Sequence, residues 1–508
     1  ILMNLGERVN MRVLMVMFDS LNRDMLEPYG GNLVKTPNFT RMAEHSVTFD
    51  NCYAGSLPCM PARRELHTGR YNFLHRSWGP LEPFDDSMPE ILNRHHIHSH
   101  LVTDHYHYFE DGGATYHTRY RTWEGFRGQE GDSWKAVVGR NCCPKEYKNR
   151  CDGIPDSWEH NWVPQDFTNR VYLDTVEKQP QSRTFEEGKA FLKENHQVQD
   201  WFLQIETFDP HEPFFSHERF KKLLDDPYRG PVYDWPDYRS LDDRDTLVEI
   251  QHLRAEYGSL LAMCDEKLGE VLDLLDQYDM WKDTMVIVNT DHGFLLSEHG
   301  EWAKCHCPFY NEVARIPLFI WNPQTGRKGI HTSSLVQTID LPATILRQFE
   351  IDIPQQMEGI PLQGVLEHDE KIRDVALFGL FGGQLNATDG RYVYMKSPVD
   401  WDEPIYQYTL MPMRHGGKRG FIQDEELKGI ELYRECTFTR GLPVMKIPCR
   451  KLPAQGRYPT MLFDLEKDPK QEHPIRDQEQ EKRIEQWMKK RMEQNDCPVE
   501  IYKRYGLN

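Results

Sequence analysis

The sequence predicts an α/β protein whose larger part is built on a mostly parallel central sheet, followed by a smaller unit of sheet and helix. Three observations carry this. Apolar, β-branched runs at 11–18, 201–205 and 284–289 are bounded by polar residues, as strands buried on both faces are. Each run delivers acids or histidines at its carboxyl end (Asp19, the Glu206 to His211 stretch, and Asp291 with His292), where open α/β sheets place their ligands. Helical patterns separate the runs, and beyond about residue 375 the texture changes to short alternating strands divided by turns. The expected division is therefore 1–375 and 376–508.

Taken in order, the strand at 11–18 ends on Asp19, and Thr36-Pro37 opens a helix with Phe39, Met42 and Ala43 on one face. Residues 47–53 read as a strand leading into LPCMPARRELHTGRY at 57–71. There Pro61 suits an early helical position, where no backbone donor is needed, and 62–66 favour propagation. Cys59 is thus expected at a helix N-terminus, where the macrodipole favours a nucleophilic oxygen or sulfur and an anionic substrate. Arg63 follows one turn on, facing the same way.

A helix at 87–94 is expected to be capped by Ser87. The strand at 101–103 runs into Asp104, His105, Tyr106 and His107, part of a stretch in which 95–107 holds six histidines. Residues 111–170, rich in Gly, Trp, Tyr, Arg and Asp without a sustained period, read as a long insertion over the site. Helices follow at 184–195 and 241–280, the second burying Leu260, Leu261, Cys264, Leu268, Val271, Leu272 and Leu275. After the strand at 284–289 come Thr290-Asp291-His292-Gly293, with Gly293 allowing a tight turn, then Gly300-Glu301-Trp302-Ala303-Lys304 and Arg315-Ile316-Pro317-Leu318. A helix from 340 with Asp340 as N-cap, a strand at 391–395, a strand and turn within 458–469 and a charged helix at 476–494 complete the chain.

Composition narrows the classes. With 508 residues the chain can bury a large core, and its formal net charge of −19 argues against a nucleic-acid partner. An anionic substrate would need a local cluster of cations. No uninterrupted apolar window approaches membrane-spanning length and no signal peptide is visible, so the chain as given reads as cytoplasmic, although a cleaved leader would leave no trace. Eleven cysteines without a regular framework suit free thiols better than disulfides. Cys142-Cys143 with Cys151, and Cys305-His306-Cys307, lack the paired spacing of structural zinc sites.

The run Cys59-Met60-Pro61-Ala62-Arg63, followed by Thr68-Gly69-Arg70, resembles the signature of the sulfatase family within the alkaline phosphatase superfamily. Segments at 19, 105–107, 211 and 291–304 resemble the family's remaining parts and occur in its order. The resemblance implies a three-layer alkaline-phosphatase-like domain. It also implies conversion of Cys59 to formylglycine by a formylglycine-generating enzyme, the hydrated aldehyde serving as nucleophile. Asp19, the modified Cys59, Asp291 and His292 would hold a divalent metal. Arg63 would orient the hydrate, and Lys304 and His105 would bind sulfate. His211 would bind substrate and protonate the leaving alcohol, and His107 would be the later base.

Two departures stand out. Ser20 replaces a second acid found in many members, and His105 replaces a lysine. Calcium is the family expectation for the metal; the missing carboxylate and His292 keep manganese and zinc open. The expected substrate is a small anion, with sulfated carbohydrates included. Hydrolysis of phosphonate monoesters or phosphodiesters on the same site is the alternative. A silent anion- or sugar-binding protein is the third reading, against which the intact Cys-x-Pro-x-Arg speaks.

Overall fold

Alternation along the strand Arg12–Phe18 divides the molecule into layers. Every residue of this strand is buried; Val13, Met15 and Met17 enter one hydrophobic core, while Leu14, Val16 and Phe18 enter another on the opposite face. The strand Thr284–Thr290 divides in the same way, with Met285 and Ile287 on one side and Val286 and Val288 on the other. A strand buried on both faces needs helices on both, and they are present. The helices Cys59–Thr68, Met88–Arg94 and Asp340–Gln348 contribute to the first core; Pro37–Glu44, Pro180–Asn195 and Leu247–Gln277 contribute to the second.

The computed structural model describes residues 11–149, 162–414, 420–449 and 456–508. Its main sheet has eight strands in the order Ile330–Thr332, Val47–Phe49, Leu318–Trp321, Thr284–Thr290, Arg12–Phe18, Trp201–Thr207, His98–Thr103 and Thr122–Gly125. Only Leu318–Trp321 runs against the rest. The three-layer α/β architecture expected from the sequence is therefore observed. Four neighbouring parallel strands, beginning with Thr284–Thr290 and ending with His98–Thr103, finish side by side, so segments far apart in the chain meet at one edge.

Several local expectations need correction. The strand expected over 47–53 is two short strands, Val47–Phe49 and Cys52–Tyr53, which belong to different sheets. Arg315 to Pro317 precede the core strand, which begins at Leu318. Ser87 occupies the N-cap position but does not cap; its hydroxyl is 2.9 Å from Nδ1 of the buried His67 and ties two helices together. Asp340 is the first helical residue, not the cap, and its carboxylate accepts the Gln337 and Ile360 N–H groups and pairs with Arg373. Of the expected insertion, Thr122–Gly125 joins the main sheet and Trp162–Arg170 is a helix, while 150–161, with Cys151, lies outside the described residues.

The later part of the chain forms a five-stranded sheet in the order Met461–Asp464, Tyr392–Lys396, Leu385–Thr388, Ala376–Leu380 and Ser56–Leu57. The last of these immediately precedes the Cys59 helix and pairs in parallel with Gly379 and Leu380. The helix Gln478–Gln494 lies on this sheet through Ile484, Met488 and Met492, whose four-residue spacing forms an apolar stripe on an otherwise charged helix. Cys52, Cys59, Cys264 and Cys436 are buried thiols. Among the described residues, no helix is long and apolar enough to cross a membrane.

Candidate active site

Backbone geometry fixes the site before any side chain is considered. Asp19 follows the strand Arg12–Phe18, and Ser20 then adopts a left-handed conformation (φ 59°) that turns the chain sharply. Asp291 and His292 follow Thr284–Thr290. Gly293 is needed there for close approach, since a Cβ would sit 1.9 Å from the Glu312 carbonyl oxygen; its φ is not among the positive ones, so the role differs from the tight turn expected. Cys59 opens the wholly buried helix Cys59–Thr68, with Arg63 one turn on. Gly69 ends that helix with φ 63° and donates its N–H to the Glu65 carbonyl at 2.7 Å.

These turns bring Asp19, Cys59, Asp291 and His292 together, one donor atom from each lying within 4.8 Å of the others. The Cys59 sulfur is 3.5 Å from His292 Nε2 and 3.8 Å from Asp19 Oδ1. His292 Nδ1 is 3.0 Å from the Gly293 carbonyl, an acceptor that keeps the ring proton on Nδ1 and leaves the Nε2 lone pair facing the cluster. Two carboxylates, an imidazole nitrogen and a fourth donor, all buried, suit a divalent cation.

Cations already border this set. Arg63 pairs with Asp19 at 3.0 Å, with Asp291, and through Nε with Glu206 at 2.8 Å, while Nη1 donates to the Cys59 carbonyl at 3.0 Å. Lys304 Nζ lies 3.7 Å from the Cys59 sulfur, 3.8 Å from Asp19 and 2.9 Å from Ser20 Oγ. Burial alone would raise Asp19, yet Arg63 and Lys304 outweigh it and hold the carboxyl well below its usual range. Burial, then the Asp19 charge, push the Cys59 thiol well above its ordinary value. Desolvation thus overrides the helix N-terminus, and the unmodified side chain is a protonated thiol, a poor nucleophile.

The histidines divide by environment. His105 Nε2 is 3.2 Å from Asp19 Oδ2, and burial followed by the Arg63 charge keeps its ring neutral. His107 Nδ1 is 2.7 Å from Glu110, and its Nε2 is 3.5 Å from Glu130. Burial lowers His211 to about 3, against the opposing charge of Glu212. His211, Glu130 and Glu212 form a second group of donors within 4.8 Å of one another. A third group, Asp226, His252 and Glu256, is satisfied internally: His252 bonds Asp226 at 2.7 Å and Lys221 holds both Glu256 oxygens.

Ser20 therefore faces the cluster, its hydroxyl donating to Asp19 at 2.7 Å. Ser20→Asp, whose side chain tolerates left-handed backbone, would add a hard oxygen donor beside Asp19. The expected result is a shift toward calcium and away from manganese, read by elemental analysis after equilibration with both ions. An unchanged metal ratio would remove position 20 from the ion's surroundings.

Glu206, Glu212 and Glu130 were not legible as site residues in the sequence. Glu206, expected just past a strand at 201–205, lies within the strand Trp201–Thr207, and Glu130 lies in a stretch without a pattern. The one available signal was Glu206 itself, an acid at the end of a buried run.

The Sulfatase family model matches residues 12–351, and the chain belongs to the sulfatase family, a class of sulfuric ester hydrolases. Among its relatives is an N-acetylglucosamine-6-O-sulfatase of Bacteroides thetaiotaomicron, 22% identical over 474 residues, covering 83% of this chain and 78% of the relative. A choline-sulfatase of Rhizobium meliloti is also 22% identical, covering 79% of this chain and 81% of the relative. A solved structure of a protein bound to its substrate D-glucosamine-2-N,6-O-disulfate superposes with a TM-score of 0.63 at 15% identity, covering 99% of both chains. A phosphonate monoester hydrolase of Agrobacterium radiobacter superposes with a TM-score of 0.62 at 18% identity, covering 92% of this chain and 91% of that one. These superpositions establish the shared fold.

Proposed function

We propose that the protein hydrolyses sulfate esters with a formylglycine made from Cys59 and a divalent metal at Asp19, Asp291, His292 and residue 59. The observation that carries the reading is the placement of Cys59 at the start of a buried helix, within 4 Å of Asp19, His292 and Lys304. A thiol so deeply desolvated is a poor nucleophile. A hydrated aldehyde there would offer one hydroxyl that attacks sulfur as it releases its proton to solvent, and a second whose deprotonation expels sulfate. A bound divalent cation would supply Lewis acidity, drawing charge from the sulfate oxygens.

The chain's own groups do the rest. Lys304 neutralises a sulfate oxygen, and His105 completes the oxygen-binding side. Arg63 fixes residue 59 through its carbonyl and holds Asp19 and Asp291 in place. As the ester S–O bond breaks, His211 gives its Nε2 proton to the departing alkoxide. His107, oriented by Glu110, then takes the proton of the second hydroxyl as the C–O bond to sulfate breaks. Sulfated sugars are the substrate class suggested by the N-acetylglucosamine-6-O-sulfatase relative. A formylglycine-generating enzyme is the implied maturation partner. Because a phosphonate monoester hydrolase shares the fold, turnover of an aryl sulfate against an aryl phosphonate separates the two readings.

His211 supplies a sharper test. With a free-state pKa of about 3 it is neutral at pH 7, so acid catalysis needs a proton taken up with the anionic substrate. Turnover of an alkyl sulfate should therefore fall as pH rises through the raised value of the complex. His211→Ala should cost roughly 10²–10⁴-fold with such poor leaving groups and far less with an activated phenol. Equal losses on both would remove His211 from this role.

A further inference from the structure

Glu206 is the least expected charge in the core. The strand Trp201–Thr207 is buried throughout, and Phe202 packs in one core while Leu203 and Ile205 pack in the other. By alternation Gln204 and Glu206 share the face of Phe202, toward the Cys59 helix. A buried carboxylate costs several kcal/mol unless it is paired and hydrogen-bonded. Glu206 is both: Oε1 accepts Arg63 Nε at 2.8 Å, and Oε2 accepts the Tyr108 hydroxyl at 2.9 Å and Gln204 Nε2 at 2.7 Å. Gln204 is itself held, its oxygen accepting the Tyr120 hydroxyl at 2.6 Å. Three donors thus fix one carboxylate in one orientation.

That carboxylate controls a guanidinium on which the metal-binding set depends. Arg63 reaches Asp291 and the Cys59 carbonyl through Nη1 and Asp19 through Nη2. The guanidinium is planar, so the bond at Nε sets the direction of both other nitrogens. Arg63 and a divalent ion would also compete for the same two carboxylates, and a third negative charge on the far side of Arg63 weakens that competition.

We propose that Glu206 is a positioning residue for the metal site: it sets the plane of Arg63 and offsets its charge, so that Asp19 and Asp291 remain available to the ion. The proposal rests on the metal reading above. Its test is calorimetric titration of calcium, and separately manganese, into the chelator-treated protein. Glu206→Gln keeps the shape and removes the charge, and should weaken binding roughly 10–100-fold, as loss of a supporting partner does at other metal centres. Thermal unfolding with and without metal supplies the contrast, because a merely structural ion pair would lower Tm equally in both states and leave affinity unchanged.

If Glu206→Gln does not fold, Gln204→Leu carries the test. It strips one donor from Glu206 while leaving Arg63 paired, and about threefold weaker binding is expected from this smaller change in the supporting partners. Wild-type affinity in whichever variant folds would overturn the proposal and leave the metal reading intact. If the wild type binds neither ion and Asp291→Asn behaves identically, the metal reading falls and this proposal falls with it.

Discussion

Cys59→Ala should abolish sulfatase turnover, with a loss on the order of 10⁶-fold if it matches removal of other enzymatic nucleophiles. Folding should be little affected, because the helix Cys59–Thr68 is anchored by Met60, Leu66 and the Arg63 ion pairs. Protein made beside a formylglycine-generating enzyme should be lighter by about 18 Da, the difference between a thiol and an aldehyde side chain. Intact-mass measurement paired with activity decides the matter. Full activity from protein carrying only the thiol would sink the mechanism. Cys59→Ser is a sharper variant: one hydroxyl can attack, but no second hydroxyl can expel sulfate, so at most one equivalent of alcohol should be released per chain.

Removing the metal should have the next largest effect. Chelation should stop turnover, and added calcium or manganese should restore it. His292→Ala should lower activity by roughly three orders of magnitude, corresponding to the several kcal/mol that a Lewis-acidic ion supplies. The physical reason is its orientation: with Nδ1 committed to the Gly293 carbonyl, Nε2 is the ring nitrogen left to face the ion. Direct measurement of bound metal in His292→Ala separates loss of the ion from loss of fold. Wild-type metal content in that variant would remove His292 from the ligand set.

Where chemistry coincides with the end of a regular element, the sequence was legible. Apolar runs terminating at Asp19 and at Asp291-His292 are strands, and the Pro61 to Leu66 pattern is a helix beginning at Cys59. Caps were less legible. Ser87 and Asp340 have the right composition for N-caps, yet their side chains are taken by His67 and by Arg373 with loop N–H groups. Local propensity cannot weigh a competing partner that arrives from elsewhere in the chain.

By itself the sequence determined the central strands that end near Asp19, Glu206 and Asp291, that Cys59 opens a helix, and that acids and histidines stand near strand ends, because those features depend on periodicity and near neighbours. Only the tertiary structure decided what these residues meet. Ser56 and Leu57, just before Cys59, pair with Gly379 and Leu380 from a sheet formed mostly by the last third of the chain. Arg63 meets Glu206 across 143 positions and Asp291 across 228. Such contacts follow from strand order in the sheet and from the cost of leaving a buried charge unpaired, neither of which is written in any local window. The same burial that assembles the site also reverses the expected acidity of Cys59: desolvation and the Asp19 charge push this helix-start thiol well above its ordinary range, against the pull of the helix N-terminus.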